Sequence, residues 1–239
     1  MLHPDYQFQP LPIGQSIKSQ SLKTGTTLLT LTQAKDMHNS HLHENELAVL
    51  ARRKQPKAKQ EYLVSRWCIK ELVKILKPEY ASLPHNQFET RFNEQLKQLQ
   101  VYANERLLDI NVVISHSQQH VGVAATLNAQ TVLGLDIEKI DEKRPFQKLA
   151  AHFYPQQETS AIGDEVDTFF RVWTLKEAYA KAAKQSISTL LSQPILPLLN
   201  NLQAQVLCEQ RQQFDVSLIT ATEQVQLIDL APTTVGESL

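Results

Sequence analysis

Short apolar runs separated by polar turns dominate this sequence, and a helical period takes over in only a few stretches. Residues 26–32 are β-branched and apolar and predict a strand. Residues 46–51, opening at about Asn45, predict a short helix. Between 57 and 76, Tyr62, Leu63, Arg66, Ile69, Val73 and Leu76 fall at intervals close to three and four, which predicts a long helix that Pro78 ends. The stretch 87–100, rich in Gln and Glu, predicts a surface helix. Residues 110–114, 121–127 and 132–138 read as three consecutive strands, a compact antiparallel meander with Ser115-His116-Ser117 at its first tip. Two more helices are predicted over 146–153 and 164–184, with a short turn at Gln157-Glu158 between them. In the last fifty residues 204–208, 214–219 and 225–230 read as strands, and the polar, proline-bearing residues 1–25 read as a peripheral arm. The resulting fold class is α+β: two pseudo-duplicated α/β halves, each a long helix packed on a small, mostly antiparallel sheet, divided as 1–128 and 129–239.

Composition narrows this picture. The chain of 239 residues is long enough to bury a sizeable core. A formal net charge of −1 excludes the global basic field of a general nucleic-acid binder. Cys68 and Cys208 lie far apart in apolar segments without ligand-like spacing and read as buried free thiols. No basic leader and no uninterrupted apolar run of membrane-spanning length is visible, so a cytoplasmic protein without a membrane partner is expected. With 6 glycines the chain is expected to have few positive-φ turns and no glycine-built phosphate cradle. Any nucleotide would then be held by side chains and metal. The histidines His38, His41 and His43 are closer to a polar loop than to a zinc site, because no ligand completes them at motif spacing. Arg52-Arg-Lys-Gln-Pro-Lys-Ala-Lys59 is the one dense basic run, either a solvated loop or a phosphate-facing patch.

The candidate chemistry lies in the second half. Side chains two apart on a strand share a face, so Asp136 and Glu138 aim two carboxylates at one place. In a strand otherwise apolar, that is costly unless a cation sits between them. Glu177 and Lys181, four apart on the predicted helix, also share a face. A magnesium ion prefers oxygen ligands and keeps waters, so such carboxylates with phosphate oxygens suit it. His116 and nearby Arg or Lys side chains suit the remaining phosphate oxygens. Together these groups point to metal-assisted attack at phosphorus, by a hydrolase or a transferase. Taken singly, the same residues would pass as strand-end carboxylates, an i,i+4 surface pair and a turn histidine.

Gly134-Leu-Asp-Ile-Glu138, followed by Phe170-Arg-Val-Trp-Thr-Leu-Lys-Glu-Ala-Tyr-Ala-Lys181, resembles the 4′-phosphopantetheinyl transferases. Asn111-Val-Val-Ile-Ser-His-Ser117 resembles a segment of their larger, pseudo-dimeric, surfactin-synthetase-activating type. The resemblance runs from about residue 110 to 182. It implies an enzyme of holo-[acyl-carrier-protein] synthase type, a monomer with an internal pseudo-twofold and coenzyme A lying between its halves. Such an enzyme would move the 4′-phosphopantetheine arm of coenzyme A onto a serine of an apo acyl or peptidyl carrier protein, in fatty acid, polyketide or nonribosomal peptide biosynthesis, and release adenosine 3′,5′-bisphosphate. Asp136, Glu138 and Glu177 would hold Mg²⁺; Glu177, Lys181 and Asp136 would be the catalytic set. Ser115, His116, Lys181, Arg52, Arg53 and Arg106 would contact coenzyme A. Two departures are visible: Lys184-Gln-Ser-Ile187 stands where the family commonly has Gly-x-Gly-Leu, and its Gly-Lys-Pro element is missing before Asn111. A non-catalytic relative that binds coenzyme A or a carrier protein, or a metal-dependent phosphohydrolase, is the alternative.

Overall fold

The computed structural model describes residues 2–14 and 25–231. Ten strands and seven α-helices follow one another there. They are β1 (Thr26–Gln33), α1 (Glu44–Ala51), α2 (Pro56–Leu76), β2 (Phe88–Asn93), β3 (Gln98–Ala103), β4 (Arg106–Leu107), β5 (Ile110–Ser117), β6 (His120–Leu127) and β7 (Leu133–Lys139). Then come α3 (Phe146–Phe153), α4 (Gln156–Ile162), α5 (Val166–Ala182), α6 (Ile187–Leu190), α7 (Ile195–Asn200), β8 (Gln205–Arg211), β9 (Phe214–Thr220) and β10 (Gln224–Leu227). The fold is α+β, as the sequence pattern predicts. No helix among the described residues is long and apolar enough to cross a membrane.

Two compact units divide the described residues, 12–131 with 222–231 and 2–11 with 132–221. In the first, the sheet runs in the order β10-β1-β6-β5-β3-β2, with β4 on β3. All its pairs are antiparallel except β10 on β1. Helix α2 packs on β5 and β6. Pro56 suits its first turn because the missing N–H would have had no partner there. Cys68, Ile69, Leu72 and Val73 are fully buried along its inner face, each large apolar side chain contributing about 1.5–3 kcal/mol of burial.

The second unit repeats the theme with fewer strands. Its sheet is β7-β9-β8, antiparallel throughout, and α5 lies across β7 and β9. Phe169, Phe170, Val172, Leu175 and Ala178 bury the helix face. Both cysteines are free and buried, one in each unit.

Several expectations are corrected. Residues 87–100 are not a helix: Phe88, Val101 and Ala103 are buried at strand spacing, and β2 pairs with β3 from Phe88↔Ala103 to Asn93↔Gln98. Period-two burial outweighs the helix propensity of Gln and Glu. The meander breaks after two strands, because β1 occupies the far edge of β6 while β7 pairs with β9. Ser115-His116-Ser117 is not a loop tip but the end of β5, paired with His120–Gly122, and Gln118-Gln119 makes the turn. The last fifty residues also contain α7, which the strand reading missed. Residues 2–11 are no loose arm: Tyr6 and Leu11 are buried and Gln9 bridges to Leu207. The polar residues 15–24, part of the same expected arm, lie outside the described residues.

Scarce glycine does not limit left-handed backbone here. Positive φ occurs at nine described non-glycine residues, including the pairs Asn104-Glu105, Gln118-Gln119 and Gln212-Gln213 at three hairpins. Two-residue hairpins need both residues left-handed to match the strand twist, and ladder hydrogen bonds offset the steric cost. The histidine cluster is structural. His43 caps α1 in a box with Glu46, and buried His41 bonds the Leu63 carbonyl through Nε2 at 3.0 Å.

Candidate functional site

Helix α5 comes unusually close to β7. A Cβ built on Gly134 would lie 2.0 Å from the Ala178 carbonyl oxygen and 2.8 Å from the Ala182 Cβ. Only glycine permits this approach, which brings Glu177 and Lys181 to the strand that carries Asp136 and Glu138. Lys181 Nζ donates to Asp136 Oδ1 and to the Leu135 carbonyl, both at 2.9 Å. Arg144 Nη1 donates to Glu138 Oε1 at 3.1 Å, and its guanidinium lies 4.9 Å from the Trp173 ring. Burial, then the Asp136 charge, raise the Glu177 pKa above the ordinary carboxyl range; Lys181 opposes this and Glu138 adds to it.

Asp136, Glu138, Glu177 and Lys181 thus share one neighbourhood. Among the described residues, no three His, Cys, Asp or Glu side chains gather closely enough to hold a metal ion as they stand. Lys181 and Arg144 instead hold two of the carboxylates. The donor set nonetheless fits a hard divalent cation, since it consists of carboxylate oxygens, the ligand type such an ion prefers.

In the other unit, a pocket of about 180 Å³ is lined by Arg53, Ala58, Glu61, Tyr62, Ser65, Arg66, Ile114 and His116. Ala58, Glu61, Tyr62 and Ser65 fall at helical spacing on α2, and Ile114 and His116 lie on one face of β5. The Arg53 and Arg66 guanidinium groups lie 4.6 and 4.2 Å from the Tyr62 ring. Neither Nε has a hydrogen-bond partner. His116 Nδ1 is 3.3 Å from Glu61 Oε2. Of the residues expected on coenzyme A, Arg53 and His116 therefore meet. Ser115 is buried on the opposite face of β5, Arg52 is exposed outside the pocket, and Arg106 is exposed on β4; none of the three lines it.

Residues 132–228 match the family described as the 4′-phosphopantetheinyl transferase superfamily. The matched stretch contains the whole Asp136, Glu138, Glu177 and Lys181 set. Over those residues the chain is similar to the 4′-phosphopantetheinyl transferase superfamily. A Synechocystis sp. protein, slr0495, provisionally named a 4′-phosphopantetheinyl transferase, is 29% identical over 159 residues, or 64% of this chain and 61% of that protein. The 4′-phosphopantetheinyl transferase gsp of Aneurinibacillus migulanus is 39% identical over 79 residues, 31% of each chain. The chain thus spans less than two thirds of the length of either of these curated relatives.

The turn after α5 has a definite geometry. Lys184 takes φ 55°, and Gln185 N donates to the Ala180 carbonyl at 2.9 Å, closing α5 with a left-handed residue. Glycine takes that conformation without the Cβ clash. Lys184→Gly is expected to stabilise the protein by about 0.5–1 kcal/mol, read as a higher urea midpoint at unchanged slope; a lower midpoint refutes it.

Sequence reasoning missed Lys176, the neighbour of Glu177. Its ammonium is fully buried, 2.8 Å from Glu158 Oε2, and donates to the carbonyls of Leu190, Leu191 and Gln193, tying the segment after α5 back to the helix. A lysine inside an apolar helical stripe is its only sequence signal. Tyr62 and Arg66 were legible only as helix positions.

Proposed function

We propose that this chain transfers the 4′-phosphopantetheine group of coenzyme A to a serine hydroxyl of an apo acyl or peptidyl carrier protein and releases adenosine 3′,5′-bisphosphate. The observation that carries this reading is the convergence of Asp136 and Glu138 on β7 with Glu177 and Lys181 on α5. Asp136, Glu138 and Glu177 would hold Mg²⁺, which when bound supplies charge neutralisation at the pyrophosphate. Glu177 accepts the serine proton as the general base. The serine oxygen forms the new bond to phosphorus, and the bond between the two phosphates breaks. Lys181, a compact positive charge beside Asp136, balances negative charge on the phosphates. Arg53 and Arg66 offer guanidinium groups with open donors, and His116 an exposed ring, to phosphate oxygens of coenzyme A.

Incubation with coenzyme A, Mg²⁺ and an apo carrier protein, followed by intact-mass measurement of the carrier, tests the reading. A gain of one phosphopantetheine group is expected. Binding of coenzyme A without any gain would instead indicate a non-catalytic relative, and free phosphopantetheine without a carrier would indicate a phosphohydrolase. In the same assay Arg53→Ala is expected to raise KM for coenzyme A about tenfold, the loss of one charge-assisted contact, with kcat little changed. An unchanged KM removes the pocket from the assignment.

A further inference from the structure

We infer that the buried Arg171–Asp215 ion pair is a positioning device for the carboxylate site, an inference that rests on the function proposed above. Asp215 is fully buried on β9 and Arg171 nearly so on α5. Arg171 Nε lies 3.0 and 3.1 Å from the two Asp215 oxygens, and its Nη2 lies 2.9 Å from Oδ2. Thr174 Oγ1 donates to Asp215 Oδ1 at 2.7 Å and lies 2.8 Å from the Ser217 hydroxyl. Arg171 Nη1 donates to the Tyr6 carbonyl at 3.1 Å.

The place of this network in the sheet gives it a role. Across the β7–β9 ladder, Glu138 pairs with Asp215 and Asp136 pairs with Ser217. Residues directly opposite on antiparallel strands present their side chains to the same face. Asp215 and Ser217 therefore stand beside the two carboxylates, on the face that α5 covers. Without Arg171, Asp215 would add another unneutralised carboxylate to that face.

The helix is then held at three levels: Arg171 and Thr174 on β9, the Ala178 carbonyl against Gly134, and Lys181 on Leu135 and Asp136. Glu177 lies between the first and second. A helix turns by about 100° per residue, so a slip of one position would swing Glu177 away from β7. Apolar contacts penalise such a slip weakly, whereas a bidentate, fully buried pair has one good geometry. Stability alone does not call for the pair, because apolar replacements of buried ion pairs are often neutral or stabilising.

The double variant Arg171→Met/Asp215→Leu keeps the branching of the Asp215 side chain and removes both charges. It is expected to unfold cooperatively with Tm near that of the wild type. Its kcat is expected to fall at least tenfold while KM for coenzyme A stays unchanged. Direct binding of Mn²⁺, followed by electron paramagnetic resonance without substrate, is expected to weaken at least tenfold. Wild-type kcat and Mn²⁺ affinity in that variant overturn the inference. If the double variant does not fold, Thr174→Val decides: a severalfold loss of Mn²⁺ affinity supports the inference, and unchanged affinity overturns it. A wild-type chain that neither binds Mn²⁺ nor modifies a carrier overturns the functional reading itself, and this inference with it.

Discussion

Glu177→Gln is expected to lower the transfer rate at least 100-fold while leaving the metal-free protein as stable as the wild type, or more so. A 100-fold loss corresponds to about 2.7 kcal/mol of transition-state stabilisation, reasonable for removing both a proton acceptor and a cation ligand. The stability half follows from linkage. Burial and the neighbouring carboxylates raise Glu177 above its usual 4.5. A group whose folded pKa exceeds its unfolded value contributes stability that is complete below the unfolded pKa and is lost as pH rises through the folded one. At neutral pH the ionised carboxylate is thus a liability to the fold, and glutamine removes it. Initial rates and thermal melts at pH 7 check both halves. Full activity ends the assignment of Glu177, and a collapse of Tm would assign it a structural role instead. The same direction of shift predicts that the metal-free protein is more stable at a pH below the raised Glu177 pKa than above it.

Gly134→Ala is expected to be the most damaging single-methyl change in the smaller unit, destabilising by about 3 kcal/mol or more. The added carbon would lie 2.0 Å from a backbone oxygen, which cannot rotate aside as a side chain can. Helix α5 must then lift from β7, and Glu177 and Lys181 lift with it. The expected readout is a fall in Tm of about 6–12 °C for a chain of this size, together with loss of transfer. Retention of wild-type Tm would mean that the helix–strand contact is looser than described.

The regular parts of this fold were legible because periodicity reports burial directly. Helices α2 and α5 follow from apolar residues at intervals of three and four, and Asp136 with Glu138 from the two-residue strand repeat. The hairpin of β2 and β3 was hidden by Gln and Glu, whose helix preference gives way once Phe88 and Val101 reach the core. Strand partners were illegible for another reason. Nothing local in Thr26–Gln33 announces that Gln224–Leu227 will lie beside it in parallel. In the site, Asp136, Glu138, Glu177 and Lys181 were readable because their spacing is local. Arg171 with Asp215, and Arg66 with Tyr62 in their pocket, acquire meaning only from packing. Of the expected phosphate contacts, Arg53 and His116 share that pocket, whereas strand alternation turns Ser115 to the opposite face.

The two thiols offer a practical consequence. Burial pushes Cys208 up to about 12 and raises Cys68 further above the usual thiol range, so neither presents a thiolate to an alkylating reagent in the native state. One thiol lies in each unit. Pulsed alkylation followed by peptide mass mapping would therefore time the opening of the two units separately in one unmodified chain, with no engineered reporter.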